Sequence, residues 1–524
     1  MQTRSMSELA QSSSVTFAGG PERLMNWALS APADELTLEL LEGDDAKPVS
    51  LRCFEVLRVL PGRRVVCRGW LGEVPVVIKW FVGAGAERYQ RREFAGCQTL
   101  AQAKVPTPKI LRAYNFAANS GQSGGALVFE YLADAQELTD QQLDTRPELF
   151  KELWRLLARM NETGVVHHDL HFGNLMCRDE SLWLIDGDAV TRPRQTPLGV
   201  QDSAQMFVRL AAQTQTSLTA DRLVAHWSDY CAGRQFESSA VAQAPLLRRY
   251  RRARRDRIQH FQAKTQRNCS AFARRRTILG EALLDRTWLQ TRHAQPELDE
   301  AQIGRDVLAW LDDLPQLMSG RDEFSGEWLK RGNTATVVAA SYRGEPLIVK
   351  RYNNKSFWHR LRRMLIRDRG LNSWVYAHTL AFTGIATSEA VALLRTRFGG
   401  PTYLVMRLVK GAELAPEQFE NTAHQDTFGA FERVSQKLLQ LLNQLAVEGF
   451  VHGDTKASNF LWDSDSEDLT IIDLDSMRMP ALSRTIRSGH ERDRRRLLRN
   501  FASAPDLQRR LGSLLDSSAS KTRD

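Results

Sequence analysis

Nowhere in these 524 residues do eighteen apolar positions run together without interruption, so no membrane-spanning helix is expected. The opening MQTRSMSELAQSSSVTFAGG has no apolar stretch of the kind that marks a secretory signal, which makes the cytoplasm the expected compartment. Cysteine is scarce too. The six present (Cys53, Cys67, Cys97, Cys177, Cys231 and Cys269) are widely spaced with no CxxC pair, which argues against a disulfide framework or a cysteine-rich zinc module. Reduced cysteines that fill space are expected instead.

Acidic residues are nearly absent from one place. Arg248 to Arg276 (RRYRRARRDRIQHFQAKTQRNCSAFARRR) holds twelve Lys or Arg against one Asp, enough to account for the whole formal charge of +9. Such a segment is either a solvated helix face or a surface for anionic lipid headgroups, to which each basic residue contributes about 1 kcal/mol near a membrane. Nucleic acid is not expected as a partner: Tyr250, Phe261 and Phe272 are few aromatics for base stacking, and no nucleic-acid fold signature accompanies them. The overall composition, 25% charged and 42% hydrophobic, is that of a soluble globular protein, and the length suggests roughly two to four domains.

What the chain does have is an internal echo. RRVVCRGWLGEVPVVIK, ending at Lys79, is answered 271 residues later by TATVVAASYRGEPLIVK, ending at Lys350. Each is a pair of apolar, β-branched runs about a turn, which reads as a hairpin. ALVFEYL (126–132) is answered by YLVMRLV (403–409), GVVHHDLHFGNLM by GFVHGDTKASNFL, and SLWLIDGDAV by LTIIDLDSM, all in the same order. Each half therefore reads as a strand pair, a helix (residues 89–104 and 372–383), another strand, another helix, then a His-Asp loop and a strand that ends in Asp.

The same functional groups recur in both halves: a lysine closing a strand, His-x-Asp with an asparagine five residues beyond the aspartate, and a further aspartate after an apolar run. Phosphoryl transfer from MgATP needs this set. A lysine neutralises phosphate charge, one carboxylate positions and deprotonates the acceptor hydroxyl, and an amide with a second carboxylate holds Mg²⁺. The candidates are Lys79, Asp169, Asn174 and Asp186 in the first half and Lys350, Asp454, Asn459 and Asp473 in the second. His167, His168 and His171 by themselves suggest zinc, but the second copy keeps only the first histidine, and Mg²⁺ takes oxygen ligands. His167 and His452 read as structural histidines of the loop.

This ordered set resembles the protein-kinase-like superfamily, whose loop HRDxxxxN and following DFG carry these roles. The resemblance implies an α+β fold of two tandem protein-kinase-like bilobal domains, each with a small β-rich N-lobe and a helical C-lobe. By the same resemblance Glu93 is the helix residue that orients Lys79, whereas alignment of KVPTP with GIATS puts Ser373 opposite Glu93. A nine-residue addition rich in arginine (Arg360, Arg362, Arg363, Arg367, Arg369) separates Lys350 from that second helix. Several superfamily features are missing. Neither half has GxGxxG before its lysine, DFG is replaced by Asp186-Gly187-Asp188 and Asp473-Leu474-Asp475, and no APE follows.

VPTP (105–108), KRYNNKSFWHRLRR (350–363) and HGDTKASNF (452–460) look like the lipopolysaccharide core kinase family of the Kdo and heptose kinase (WaaP/InaA) type. That resemblance implies an ATP- and Mg²⁺-dependent phosphotransferase acting on a sugar hydroxyl of the lipopolysaccharide inner core, Kdo or heptose, at the cytoplasmic face of the membrane. Asp169 and Asp454 would be the bases, Lys79, Glu93 and Lys350 the ATP-binding residues, and Asn174, Asp186, Asn459 and Asp473 the metal ligands. His171, Lys456, Asp188 and Asp475 would assist. The expected layout is a flexible segment over 1–45, a first domain over 46–295 with a basic helical end, and a second over 296–515. HHDLHFGN also resembles choline and aminoglycoside kinases, so a small-molecule kinase is one alternative. A protein Ser/Thr kinase and a scaffold with one pseudokinase half are the others.

Overall fold

Apolar residues at alternate positions build the first part of the chain into a twisted sheet. In this computed structural model the described residues are 14–15, 20–29, 35–42, 47–60, 62–116, 124–192, 197–292, 300–318, 327–353, 368–414 and 429–521. They divide into two units, Met1–Thr214 with Leu218–Ala253 and Gln215–Ser217 with Arg254–Asp524.

Unit 1 begins with β1 (Ser14–Val15), α1 (Gly20–Leu29), β2 (Leu36–Glu42), β3 (Lys47–Leu60), β4 (Arg64–Leu71) and β5 (Val74–Phe81). It continues through α2 (Ala86–Gln102), β6 (Ile110–Phe116) and β7 (Gly124–Glu130), and the sheet order is β1-β6-β7-β5-β4-β3-β2. The hairpin read from the sequence is β4–β5, turning at Gly72, whose φ of 58° suits a residue without a side chain. In β4 every second residue is buried, and Val65 and Cys67 join Leu24, Leu36, Trp80 and Val128 in one apolar layer. That layer corrects the flexible reading of residues 1–45. Leu24 on α1 and Leu36 on β2 are both buried, and β2 pairs with β3 along its whole length, so the part of that stretch the structure describes is folded.

A helical part follows with β8 (Gln136–Glu137), α3 (Asp140–Thr145), α4 (Glu148–Glu162), β9 (Val166–His167), β10 (Leu175–Arg178), β11 (Ser181–Leu184) and β12 (Val190–Thr191). It continues with α5 (Val200–Ala211), α6 (Ala220–Arg234) and the start of α7 (Gln243–Lys264). Leu153, Trp154 and Leu157 of α4 face Phe207 of α5 and Trp227 and Tyr230 of α6 in the largest core of the unit. The motif VPTP fastens the hairpin that follows the His-Asp loop to the sheet side: Leu184 N–H donates to Pro106 O (2.9 Å) and Thr107 Oγ1 to Leu184 O (2.8 Å).

Unit 2 takes up the rest of α7, then β13 (Phe272–Arg276), β14 (Gly280–Asp285), α8 (Arg286–Arg292), α9 (Glu300–Leu317), β15 (Glu327–Arg331), β16 (Ala335–Tyr342) and β17 (Glu345–Tyr352). Then come α10 (Arg369–Phe382), β18 (Ala390–Thr396) and β19 (Thr402–Arg407), giving a seven-stranded sheet of order β13-β14-β18-β19-β17-β16-β15. Its helical part holds β20 (Ala412–Glu413), α11 (Gly429–Glu448), β21 (Phe460–Asp463), β22 (Asp468–Ile471), α12 (Ser483–Arg499) and α13 (Pro505–Lys521). The second hairpin is β16–β17, turning at Arg343 and Gly344, both with positive φ as a two-residue turn of this hand requires.

The division between units falls inside α7, well before the boundary read at residue 295; residues 293–299 lie outside the described residues. The reason is strand pairing. β14 hydrogen-bonds to β18, and Ala282 and Leu284 pack with Val307, Leu311 and Val349 of unit 2. Nor is the basic segment a uniform solvated face. Arg254 is buried, and its guanidinium donates to both oxygens of Glu448 (3.0 and 2.7 Å), a carboxylate that also accepts from Ser217 N–H and Oγ (3.1 and 2.9 Å). No helix among the described residues is long and apolar enough to cross a membrane.

Candidate active sites of the two units

In unit 1 the strand, the helix and the loop converge on Lys79. Its Nζ donates to Glu93 Oε1 and to the carbonyl of Ile185 (2.8 Å), and Asp186 Oδ1 lies 4.0 Å away. Burial works against a charged lysine, yet Glu93 and Asp186 outweigh it and hold the Lys79 pKa above its usual value. Glu93 is fully buried; its second oxygen lies 3.8 Å from Arg64, and Oε1 also accepts from Gly187 N–H at 3.3 Å. Burial raises the Glu93 carboxyl against the opposing pull of Lys79.

Two glycines make this contact possible. A Cβ on Gly96 would stand 1.9 Å from Gly187 O, and one on Gly187 would stand 2.6 Å from Glu93 O. Helix α2 therefore lies directly on the Asp186-Gly187-Asp188 turn, and any side chain at either position would lift Glu93 away from Lys79.

The His-Asp loop is braced by His167. The buried ring accepts Asp169 N–H at Nδ1 (3.2 Å) and donates from Nε2 to Asp186 O (3.0 Å), so one neutral imidazole ties the loop to the second aspartate. Burial lowers its pKa and keeps it neutral. Asn174 is held by Nδ2–H donation to Asp169 O (2.9 Å), which leaves its amide oxygen as a ligand atom. Lys79 and Arg64 hold Asp186 well below the usual carboxylate range, in spite of burial that opposes this. Amide oxygen and ionised carboxylate form a hard, oxygen-only pair, which fits Mg²⁺.

The Asp169 carboxylate itself is open, with its side chain 77% exposed and His171 Nε2 3.9 Å from Oδ2. Asp188 is drawn away, its carboxylate 3.2 Å from Arg92 Nε. The zinc alternative loses its footing: His168 Nε2 contacts Thr191 Oγ1 (2.9 Å), each ring has a separate neighbour, and no three His, Cys, Asp or Glu converge as a metal cluster among the described residues.

Unit 2 repeats the frame with different contents. His452 again joins Asp454 N–H (3.3 Å) to the strand beyond, here through Ile472 O (3.2 Å), and Asn459 Nδ2–H donates to Asp454 O (2.7 Å). Ser373 stands in the buried helix position, where its hydroxyl meets Tyr352 OH at 2.7 Å and not the lysine. Lys350 turns to Asp473 Oδ1 at 2.5 Å, and this ion pair holds the Asp473 pKa low although burial opposes it. Asp475 is held by Arg369.

The loop aspartate differs most. Asp454 Oδ1 accepts from Arg496 (2.5 Å) and Oδ2 lies 3.0 Å from Lys456, so both oxygens are engaged and the side chain is only 23% exposed. Buried Asp493 accepts Gly453 N–H (3.1 Å to each oxygen), an anchor for the loop. Arg360, Arg362, Arg363 and Arg367 lie outside the described residues.

Arg64, Gly96 and Arg496 escape a motif reading because each meets its partner across a long sequence separation. Only Gly96, one helical turn after Glu93, leaves a local sign.

Residues 80–222 match the family described as "Lipopolysaccharide kinase (Kdo/WaaP) family". Among solved structures the chain is similar to "WaaP in complex with acyl carrier protein", with 19% identity and a TM-score of 0.30 over 38% of this chain and 88% of that one. It is also similar to the Cydia pomonella granulovirus kinase PK-1, with 18% identity and a TM-score of 0.23, covering 33% of this chain and 60% of the viral one. The family match starts one residue after Lys79 and ends inside α6, so the part of the protein built around Asp169 is the part similar to the lipopolysaccharide kinase (Kdo/WaaP) family.

Proposed function

We propose that unit 1 transfers the γ-phosphoryl group of ATP to a sugar hydroxyl, Kdo or heptose, of the lipopolysaccharide inner core at the cytoplasmic face of the membrane. The observation that carries this reading is the Lys79–Glu93 pair set beside Asp186 and Asn174, with the Asp169 carboxylate left open to an acceptor. MgATP supplies the phosphoryl group, and its metal would be held by Asn174 and Asp186. Lys79 neutralises phosphate charge and Glu93 keeps it aimed. Asp169 accepts the hydroxyl proton as the sugar oxygen bonds to phosphorus and the bond to ADP breaks, while His167 holds the loop at the distance it shares with Asp186.

Within a tandem arrangement, unit 2 is the non-transferring half. The Arg496 and Lys456 contacts to Asp454, together with the Lys350–Asp473 pair, favour this reading, since a base and a metal ligand already neutralised by cations serve a transfer reaction poorly.

The test is mass spectrometry of the lipopolysaccharide core from cells carrying the intact protein, the Asp169→Asn variant or the Asp454→Asn variant. Loss of one phosphate mass with Asp169→Asn alone is expected. An unchanged core with Asp169→Asn, at proven expression, overturns the assignment, and a small-molecule acceptor would then be sought among amino alcohols and aminoglycosides.

A further inference from the structure

We propose that the adjoining turns at the ends of β14 and β18 form an insertion wedge for an anionic lipid bilayer. Ile278 and Phe398 are the most exposed of the large hydrophobic residues described, at 84% and 86%. Their turns adjoin: β14 pairs with β18 through Gly280 and Thr396, and one step outward Arg397 N–H donates to Leu279 O (2.9 Å), which places Ile278 and Phe398 just past the same end of the ladder.

Both turns are built to stay presented. Ile278 and Leu279 N–H donate to the Asp312 carboxylate (3.0 and 3.2 Å), and Thr277 closes its turn with two bonds to Gly280 (3.0 and 2.9 Å). Phe398 has a φ of 56°, a left-handed conformation in which a phenylalanine is strained and an asparagine or glycine would be relaxed. A large apolar ring exposed at a strained turn needs a reason other than folding.

The surrounding charge points to the partner. Arg274, Arg275 and Arg276 of β13 and Arg397 beside Phe398 are all exposed. Among the nearby acids, Glu281 is paired with Arg274 (2.5 Å) and lies 3.7 Å from Arg395, Asp368 is paired with Arg395 (3.1 Å), and Asp312 is taken up by backbone N–H groups. Two apolar tips ringed by arginine match the boundary between acyl chains and anionic headgroups. Two side chains past a sheet end offer far less surface than the ~800 Å² per partner of a stable protein interface.

The wedge gives the membrane-face location in the proposed function a physical basis, but it is tested without nucleotide or acceptor, so its failure leaves the phosphotransferase reading standing. Full-length protein is co-sedimented with vesicles of phosphatidylcholine alone and of phosphatidylcholine with phosphatidylglycerol. Binding to the mixed vesicles alone is expected. The Ile278→Ser/Phe398→Asn variant, whose asparagine suits the left-handed turn, should melt no lower than the parent and bind about tenfold more weakly or worse. Leu482→Ser, a control at another exposed apolar residue, should bind as the parent does. Equal binding by Ile278→Ser/Phe398→Asn, absence of binding by the parent, or equal binding to neutral vesicles each overturns the proposal. Should that variant melt early, Arg276→Gln/Arg397→Gln replaces it, with the same loss expected and unchanged binding counting against the wedge.

Discussion

Glu93→Gln probes unit 1 at its centre, and unit 2 shows what it should do. Removing one charge from a buried pair costs about 3–5 kcal/mol when the remaining charge finds no new partner. Lys79 has a substitute within reach, since Asp186 Oδ1 is 4.0 Å from Nζ. In unit 2, with Ser373 on the helix, Lys350 has closed to 2.5 Å on the corresponding Asp473. The same collapse is expected in the variant, which limits the stability loss to about 2 kcal/mol, or about 4–8 °C in the melting transition of a unit this size. The larger effect falls on the chemistry. In the proposed roles, Lys79 and Asp186 neutralising one another would both be lost to MgATP, so kcat/KM should fall about 100- to 1000-fold, about 3–4 kcal/mol of transition-state stabilisation. Labelled-phosphate transfer to lipopolysaccharide from cells lacking the protein, paired with calorimetry, measures the two effects separately. A kcat/KM within about threefold of the parent would refute the reasoning, because Lys79 would then not depend on Glu93 for its aim.

Three further outcomes are expected. Asp169→Asn should abolish transfer in the purified protein while Asp454→Asn leaves kcat within about twofold, and the opposite pattern would move catalysis to unit 2. Gly96→Ala drives a methyl group into Gly187 O, so it should cost about 1–3 kcal/mol and weaken ATP binding measured by calorimetry; unchanged affinity would mean that α2 need not touch the Asp186 turn. His226, stacked 4.4 Å from Phe150, has its pKa pushed down to about 4 by burial and by Arg222. The unfolded chain therefore binds more protons between pH 6.5 and 4, and this group's contribution, at most about 3 kcal/mol, is present above pH 6.5 and lost as pH falls toward 4. His226→Phe should flatten that part of a denaturation-midpoint profile, and an unaltered profile would show that the ring does not titrate on unfolding.

Much of the frame was legible because it rests on local patterns. Alternation in RRVVCRGWL and TATVVAASY marks the hairpins, and the sequence-read helices at 89–104 and 372–383 appear as Ala86–Gln102 and Arg369–Phe382. Residues 36–42 were harder to read as a strand, since LTLELLE earns its place only by pairing with β3. The unit boundary was hidden for the same reason: β14 joins β18, more than a hundred residues later.

By itself, then, the sequence determined the inventory of chemistry, a lysine, a His-x-Asp loop, an asparagine and a final aspartate in both halves, because the loop spacings are short and each lysine closes a recognisable strand. Whether each group is available was decided by tertiary structure. Asp169 and Asp454 occupy the same place in the same motif, yet one carboxylate is open and the other is held between Arg496 and Lys456. A carboxylate's freedom depends on which cations the fold carries to within a few ångströms, and Arg496 arrives from a helix 42 residues away.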